Sequence, residues 1–244
     1  MTVQSRPASP EAPLAPGQPA NSPSSSDDAR SSSDVAERVV LDDQAIRRTL
    51  MRIAHEIVES ADGLQRLYLV AIPNGGVPLG RILVDNLESL TGERVPLGIL
   101  DTTLYRDDLA TRGSRPQLRR TEMPSSVDNR VVVLVEDVVS TGRTIRAAMD
   151  ALMDFGRPSH VRVVALVDRG HRELPIKIDY VGKNIPTQSE DKVIFDAGRV
   201  VAEDEDESAS GTGALRLIVQ QGGAETATEV SASTHRSEGQ EAGA

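Results

Sequence analysis

The pattern of apolar and polar residues predicts helices and strands in alternation along the middle of the chain. The first helix is predicted to begin after Asp42 and Asp43, which are typical capping residues. Its apolar positions recur at helical spacing, at Ile46, Leu50, Ile53 and Ile57. Two further helices are predicted over residues 77–90 and 144–155, the second ending at Gly156.

Short apolar runs between these helices predict strands. The runs are 67–72, 95–100, 131–137, 161–167, 178–181 and 193–195, with 215–219 as a candidate for a last strand. The run at 131–137 is continuous and rich in valine, as in a parallel strand that is buried on both faces. Strands that alternate with helices predict an α/β fold with a central, mostly parallel sheet flanked by helices.

Composition separates this core from the two ends of the chain. Residues 1–34 and 221–244 are rich in Ser, Ala, Gly and acidic residues, which predicts disordered tails. The folded domain is expected over 35–200, followed by an acidic insert at 201–213 and the candidate strand within 214–220.

Charge is distributed just as unevenly. Residues 1–34 and 201–244 together carry thirteen acidic and four basic residues, which is nearly all of the net charge of −10. The core is therefore close to neutral, and the acidic average does not argue against a nucleic-acid partner.

Two absences narrow the classes of function. The chain has no cysteine, which excludes a disulfide framework, a thiolate metal site and a cysteine nucleophile. It also has neither the apolar segment of a signal peptide nor an apolar run of roughly 18 residues that would cross a bilayer. We therefore expect a cytoplasmic protein without a membrane segment.

The candidate chemistry lies at the end of the 131–137 strand, because ligands of parallel sheets bind beyond the carboxyl ends of the strands. Glu136 and Asp137 are adjacent carboxylates, which are costly to bury together unless a diol or a cation engages them. Residues 141–144, Thr-Gly-Arg-Thr, then form a turn that opens a helix, a favourable place for a phosphate. A sugar with vicinal hydroxyls and a 5′-phosphate matches both features. The alternative is a strand-end acid pair followed by an ordinary helix cap.

The segment 133–144, Val-Leu-Val-Glu-Asp-Val-Val-Ser-Thr-Gly-Arg-Thr, resembles the phosphoribosyl pyrophosphate (PRPP) signature of type I phosphoribosyltransferases. Residues 103–109, Thr-Leu-Tyr-Arg-Asp-Asp-Leu, and residues 166–176, Leu-Val-Asp-Arg-Gly-His-Arg-Glu-Leu-Pro-Ile, resemble the PyrR family. Members of that family are RNA-binding regulators of pyrimidine operons and also uracil phosphoribosyltransferases. The resemblance covers about residues 38–196 and implies the type I phosphoribosyltransferase fold with a flexible hood loop.

The resemblance also implies the residues of the active site. The expected PRPP-binding residues are Val133, Leu134, Val135, Glu136, Asp137, Val138, Val139, Ser140, Thr141, Gly142, Arg143, Thr144 and Ile145. The expected catalytic residues are Glu136 and Asp137, which hold the ribose hydroxyls, and Arg106 on the hood loop. Mg²⁺ would bridge ribose and pyrophosphate through PRPP, with no protein ligand assigned directly.

Three positions depart from the family's usual residues. The candidate pyrophosphate loop is Asn74, Gly75 and Gly76, where the family commonly has Thr-Arg-Gly. Glu136 stands where the family usually has Asp, and Ser140 where it usually has Tyr. The lack of an acid at Ser140 disfavours a purine substrate, and the lack of arginine in the loop leaves turnover open.

An RNA-binding surface is implied at His55 on the first helix and at Arg172, Lys177 and Lys183. Because the chain has only three Tyr, two Phe and no Trp, RNA contact would rest on phosphates and hydrogen bonds and little on base stacking. The implied partners are PRPP, uracil, UMP or UTP, pyrimidine-operon mRNA, and further copies of the chain in a homo-oligomer.

Three functions remain open at this point. The leading hypothesis is a uridine-nucleotide-dependent mRNA-binding regulator with uracil phosphoribosyltransferase activity. The alternatives are an RNA-binding regulator with lost or weak catalysis, and a pyrimidine phosphoribosyltransferase that does not bind RNA.

Overall fold

The computed structural model describes residues 37–61, 63–73, 75–107, 119–198 and 214–222. The elements in chain order are β1 (Glu37–Leu41), α1 (Asp43–Ser60), β2 (Leu67–Ala71), α2 (Gly76–Thr91), β3 (Leu97–Ile99), β4 (Val131–Val139), α3 (Arg143–Leu152), β5 (His160–Asp168), β6 (Tyr180–Asn184), β7 (Lys192–Asp196) and β8 (Arg216–Gln220). Short 3-10 turns lie at Leu64–Arg66, Thr103–Tyr105 and Met153–Phe155.

The predicted α/β architecture is confirmed. Strands β2 to β6 form a five-stranded sheet in the order β3-β2-β4-β5-β6, and every neighbouring pair is parallel. β4 lies at the centre of this sheet, so its carboxyl end, with Glu136 and Asp137, is flanked by the ends of β2 and β5.

Helices cover both faces of the sheet, and successive strand residues point to opposite faces. α1 and α2 pack on one face, against Leu69, Val133, Val135 and Val164. α3 packs on the other face, against Val70, Val132 and Leu134. This two-sided burial is the physical reason for the continuous apolar run of β4.

Local sequence fixes the ends of the helices. The Asp42 carboxylate accepts a hydrogen bond from the Ala45 N–H at 2.8 Å and caps α1, as predicted. α2 ends at Gly92, whose φ of 75° is the left-handed conformation that glycine adopts without strain.

β1, β8 and β7 form a second, antiparallel sheet in that order. β1 was not predicted from the sequence, because its five residues begin with two exposed charged side chains and give no clear alternation. The inward residues Leu41, Leu215, Leu217 and Val219 join the core formed by α1, α2 and the parallel sheet.

The predicted tails, 1–34 and 221–244, lie outside the described residues except for 221 and 222, and so does the acidic insert 201–213. The predicted domain boundaries therefore remain predictions. Within the described ranges, no helix has both the length and the apolar character to cross a bilayer.

Candidate active site

Glu136 and Asp137 lie near the end of β4, as predicted. Glu136 is 8% exposed, and Asp137 is half-buried beside it. Burial raises the pKa of Glu136 well above its ordinary value, the neighbouring Asp137 carboxylate raises it further, and the Arg106 guanidinium opposes both. Burial also raises the pKa of Asp137, and backbone N–H donors, with Val138 N–H at 2.9 Å from Asp137 Oδ1, partly offset it. The pair is thus two carboxyl groups whose negative charges lack full compensation.

The turn after β4 has the geometry of a phosphate cradle. Gly142 adopts φ 90° and immediately precedes α3, so the first N–H groups of that helix face the end of the turn. The backbone carbonyls of Val139 and Thr141 are occupied by N–H groups of the segment 169–174 at 3.0 to 3.2 Å. The hydroxyls of Thr141 and Thr144 are half-buried at the same place.

The turn between β2 and α2, which contains Gly75, lies directly against the acid pair. A Cβ atom built on Gly75 would lie 2.0 Å from Asp137 Oδ2, and one built on Gly76 would lie 2.4 Å from the Val135 carbonyl oxygen. A side chain at either position would require the neighbouring atoms to shift. Asn74, the third predicted residue of the pyrophosphate loop, lies outside the described residues.

The beginning of the hood segment is held against α3. Tyr105 donates its hydroxyl to Asp154 beyond the end of α3, and Arg106 Nη1 donates to Thr144 Oγ1 at 3.3 Å. The Arg106 guanidinium thus contacts the phosphate turn, residues 141–144, and it also lowers the pKa of Glu136. Residues 108–118 of the predicted hood loop lie outside the described ranges.

The Arg143 side chain does not line the cradle. Its guanidinium pairs with Asp107 of the hood and, at 2.7 Å, with Glu173 of the segment 169–176. These two carboxylates, Glu173 foremost, raise the pKa of Arg143. Arg143 thus connects the two loops that flank the turn, while its backbone remains part of the turn.

The remaining predicted PRPP-binding residues divide into a buried and an accessible group. Val133, Leu134 and Val135 are completely buried in the sheet, Val139 and Ile145 are 3% and 1% exposed, and their side chains serve the core. Val138 and Ser140 are half-buried. The buried residues fix the position of the site. The residues with accessible surface are those at 137–138, 140–141 and 143–144, and of these Arg143 is exposed and the others are half-buried.

The structure separates the four residues predicted to bind RNA. His55 on α1 and Lys183 on β6 are exposed, and the Arg52 guanidinium joins the two elements by donating to the Val181 and Gly182 carbonyls at 3.0 and 2.9 Å. Lys177 is exposed in the segment before β6. Arg172 differs from the other three, because its side chain is 24% exposed and is paired with Asp168 at 2.7 Å.

The donor set of the site suits a cation held mainly by its substrate. Glu136 and Asp137 offer carboxylate oxygens, which are ligands that Mg²⁺ prefers, usually one or two from the protein with the rest from phosphates and water. Among the described residues, no group of three or more His, Cys, Asp or Glu side chains is arranged to hold a metal.

Two features of the site were missed by sequence reasoning. One is the layer of backbone N–H groups at 169–174 behind the phosphate turn, and the other is the ion pair of Arg143 with Asp107 and Glu173. Backbone contacts between distant segments leave no signal in a single sequence.

Solved structures support the same fold. The hypoxanthine phosphoribosyltransferase of Trypanosoma cruzi has a TM-score of 0.55 at 20% identity, with 78% of this chain and 99% of that chain covered. The hypoxanthine-guanine phosphoribosyltransferase of Bacillus anthracis has a TM-score of 0.51 at 18% identity, covering 61% of this chain and 84% of that one. At these identities the likeness concerns the fold alone.

Sequence relatives are much closer. The Bifunctional protein PyrR of Pelotomaculum thermopropionicum is 55% identical over 154 residues, which cover 63% of this chain and 85% of the relative. That of a Roseiflexus species is 50% identical over 159 residues, covering 65% and 87%. The sequence model of the phosphoribosyl transferase domain family matches residues 39–199 of this chain. The chain therefore belongs to the phosphoribosyl transferase domain family and, within it, to the PyrR proteins.

Proposed function

We propose that this protein regulates pyrimidine biosynthesis genes by uridine-nucleotide-dependent binding of mRNA, and that it is also a uracil phosphoribosyltransferase. The reaction converts uracil and PRPP to UMP and pyrophosphate. Membership of the PyrR proteins, whose curated relatives carry the name bifunctional, supports both halves.

One observation carries the enzymatic half. Two carboxyl groups with raised pKa values, buried Glu136 and half-buried Asp137, lie near the end of the central strand, shortly before a glycine turn that opens a helix. Acids for a ribose diol and a turn for a 5′-phosphate thus occur together at the carboxyl edge of a parallel sheet, where ligands bind.

The chemistry requires charge stabilisation and no covalent intermediate. Uracil N1 supplies the electron pair for the new bond to C1′ and gives up its proton, while the bond from C1′ to pyrophosphate breaks and its electron pair leaves with the pyrophosphate. Arg106 and the turn at 141–144 supply positive charge, and Glu136 and Asp137 hold the hydroxyls of the sugar. When bound, Mg²⁺ would neutralise part of the charge on the departing pyrophosphate, with the two carboxylates as its candidate protein ligands.

The direct test is UMP formation from uracil and PRPP in the presence of Mg²⁺. We expect uracil to be converted and orotate and hypoxanthine to be left unchanged. Asp137→Asn should abolish turnover, while Asp150→Asn on the exposed face of α3 should leave it intact. Equal loss in both variants would count against the assignment of the site.

A regulator without turnover is the second candidate, and the turn between β2 and α2 favours it. Pyrophosphate handling in this turn would depend on backbone groups, because the turn has no arginine. Replacing Gly75 with arginine is not a usable test of this idea, since the Cβ of the new side chain would lie 2.0 Å from Asp137 Oδ2. Measurable PRPP and UMP binding without UMP formation from any base would select this candidate.

For the RNA-binding half, Lys183 and Lys177 are the residues to test, because both side chains are exposed. We expect Lys183→Glu and Lys177→Glu to weaken binding of a pyrimidine-leader RNA and to reduce its dependence on salt. Lys192→Glu, a charge reversal at another exposed lysine, on β7, serves as the control. Unchanged RNA affinity in both test variants would place the RNA-binding surface elsewhere, and no measurable RNA binding by the unaltered protein would favour an enzyme that does not bind RNA.

Three finer points belong to the same proposal. UMP or UTP is the expected effector, since the turn fits a 5′-phosphate. Uridine nucleotides and mRNA are both cytoplasmic molecules, and the same location is therefore proposed for the protein.

A homo-oligomer is supported by Leu104, Met153 and Phe155, large apolar side chains that are 63%, 51% and 40% exposed. Analytical ultracentrifugation tests it, and a monomer at all concentrations would contradict it.

A further inference from the structure

Residues 169–174 donate hydrogen bonds to three successive carbonyl groups, those of residues 139–141, at the start of the phosphate turn. The Val139 carbonyl accepts the Arg169 N–H at 3.0 Å, and the Thr141 carbonyl accepts the N–H groups of Glu173 and Leu174 at 3.1 and 3.2 Å. The Ser140 carbonyl, between them, accepts from the Arg172 guanidinium. Two of these carbonyls are thus held by backbone and one by a side chain.

This arrangement decides which way the turn presents its donors. In a planar trans peptide the N–H of one residue points opposite to the carbonyl of the residue before it. Holding the carbonyls of residues 139–141 against 169–174 therefore turns the N–H groups of Ser140, Thr141 and Gly142 to the other side. That side is where a phosphate at the start of α3 would lie.

The Arg172 side chain makes further hydrogen bonds beside the one to Ser140. Its Nη2 pairs with Asp168 at the end of β5 at 2.7 Å, and its Nε donates to the Ile176 carbonyl at 3.2 Å. Ile176 in turn packs against the turn, since a Cβ atom on Gly142 would lie 2.9 Å from its Cγ1. Together with the contact to Ser140, these bonds join the ends of β4 and β5 to Ile176, which lies in the segment between β5 and β6.

We propose that Arg172 is a positioning residue of the phosphate turn, holding the Ser140 carbonyl back so that the turn offers N–H groups to a 5′-phosphate, and that it does not contact RNA. A side chain engaged with a carboxylate and two carbonyls at 24% exposure has little of its charge left for a phosphate backbone. The inference rests on the proposed function, because it requires a ribose 5′-phosphate as ligand.

The test compares UMP with uridine, which lacks the 5′-phosphate, on the full-length protein. Dissociation constants are measured by calorimetry for UMP and by NMR titration for uridine. For Arg172→Gln we expect the UMP dissociation constant to rise about tenfold or more and the uridine constant to stay within about twofold. General loss of structure would raise both constants together.

Two further variants keep the test independent of misfolding. Arg172→Lys retains the charge and a contact to Asp168, so it should recover part of the preference for UMP over uridine. Arg146→Gln is the matched control, because Arg146 makes the same four-residue ion pair with Asp150, at 2.9 Å, on the exposed face of α3. It should leave both dissociation constants unchanged.

Other outcomes overturn the inference in distinguishable ways. If the unaltered protein binds UMP no better than uridine, the phosphate site of the proposed function fails, and the inference fails with it. If the unaltered protein prefers UMP and Arg172→Gln keeps that preference, only the inference fails. Loss of RNA affinity in Arg172→Gln at saturating UMP, with UMP affinity retained, would return Arg172 to the RNA surface.

Discussion

At the residue scale, the buried acid pair makes the stability of the protein depend on pH. Burial and the Asp137 carboxylate raise the pKa of Glu136 above its ordinary value of 4.5. The folded state therefore binds this proton more tightly than the unfolded state. The contribution of Glu136 to the free energy of unfolding must therefore fall as the pH rises from about 4.5 through the raised pKa of the folded state.

Glu136→Gln removes this dependence. Without ligand, we expect the variant to be more stable than the unaltered protein above the ordinary glutamate pKa. The difference should grow with pH, by about 1.4 kcal/mol for each unit of pKa shift. Urea unfolding of both proteins between about pH 4.5 and 8 measures it.

Asp128→Asn is the control of opposite sign, because the Arg157 N–H and the Ser126 hydroxyl lower the pKa of Asp128. This variant should be less stable than the unaltered protein above the ordinary aspartate pKa of 3.8, with the deficit vanishing at lower pH. A stability difference between Glu136→Gln and the unaltered protein that does not change with pH would contradict the assigned cause.

Gly75 carries a second prediction at this scale. Its φ is −73°, so any residue could adopt its backbone conformation, and the constraint is steric alone. Gly75→Ala places a methyl group 2.0 Å from Asp137 Oδ2, which should cost about 1–3 kcal/mol of unfolding free energy and weaken UMP binding.

A double-mutant cycle with Asp137→Ala identifies the clashing partner. Removing the Asp137 carboxyl should recover part of the stability lost in Gly75→Ala, because the contacts at 2.0 and 2.3 Å disappear and only that with the Asp137 Cβ, at 2.5 Å, remains. Strict additivity of the two losses would show that Asp137 is not the obstacle.

At the scale of elements, the packing of α1 against β6 depends on one glycine and one arginine. A Cβ atom on Gly182 would lie 2.3 Å from the Leu166 carbonyl oxygen and 2.9 Å from Thr49 Cγ2, so glycine permits the close approach. Arg52 then donates to the carbonyls of Val181 and Gly182. The helix that carries His55 is thereby tied to the strand that carries Lys183.

Arg52→Gln should lower the free energy of unfolding by about 1 kcal/mol, because two carbonyl groups lose a charged donor at a partly exposed site. Arg47→Gln is the matched control. Arg47 lies on the same helix and has an acidic partner four residues away, Asp43 at 2.8 Å, as Arg52 has Glu56, but within the described ranges it forms no hydrogen bond to another element. Its loss should be within a few tenths of a kcal/mol, and equal urea midpoints for both variants would contradict the role of Arg52.

At the scale of the whole molecule, the antiparallel sheet joins the first and last described strands to the main core. β8 lies between β1 and β7, and its inward side chains pack with α1 and α2. The Leu215 N–H also donates to Asp43 Oδ1, at the start of α1, at 3.2 Å. A strand more than fifteen residues beyond β7 thus completes the core of the domain.

Leu217→Ala tests this contribution, because Leu217 is completely buried on the inner face of β8. We expect a loss of about 2–5 kcal/mol of unfolding free energy. Ile194→Ala on β7, where the side chain is 38% exposed on the outer face, should cost less than about 1 kcal/mol. Similar losses in urea unfolding would indicate that the small sheet is not part of the core.

Some features of this protein followed from the sequence alone. Local signals suffice for elements whose periodicity is strong, so α1 with its Asp42 cap, the valine-rich β4 and the Thr-Gly-Arg-Thr turn were all predicted close to their observed bounds. The acid pair was predicted as well, since adjacent carboxylates at the end of a buried strand require an explanation wherever they occur. The resemblance to PyrR proteins rested on other segments, residues 103–109 and 166–176.

Other features were decided by tertiary structure. The guanidinium of Arg143, a residue predicted to bind PRPP, pairs with carboxylates of two loops, and that of Arg172, a residue predicted to bind RNA, donates to the Ser140 carbonyl. Neither set of partners could be read from the sequence. A guanidinium has the same charge and reach in each of these roles, so its sequence neighbours cannot distinguish them. Its partner is chosen by which carbonyls and carboxylates from distant segments arrive within hydrogen-bonding distance, and only the packed sheet brings those segments together.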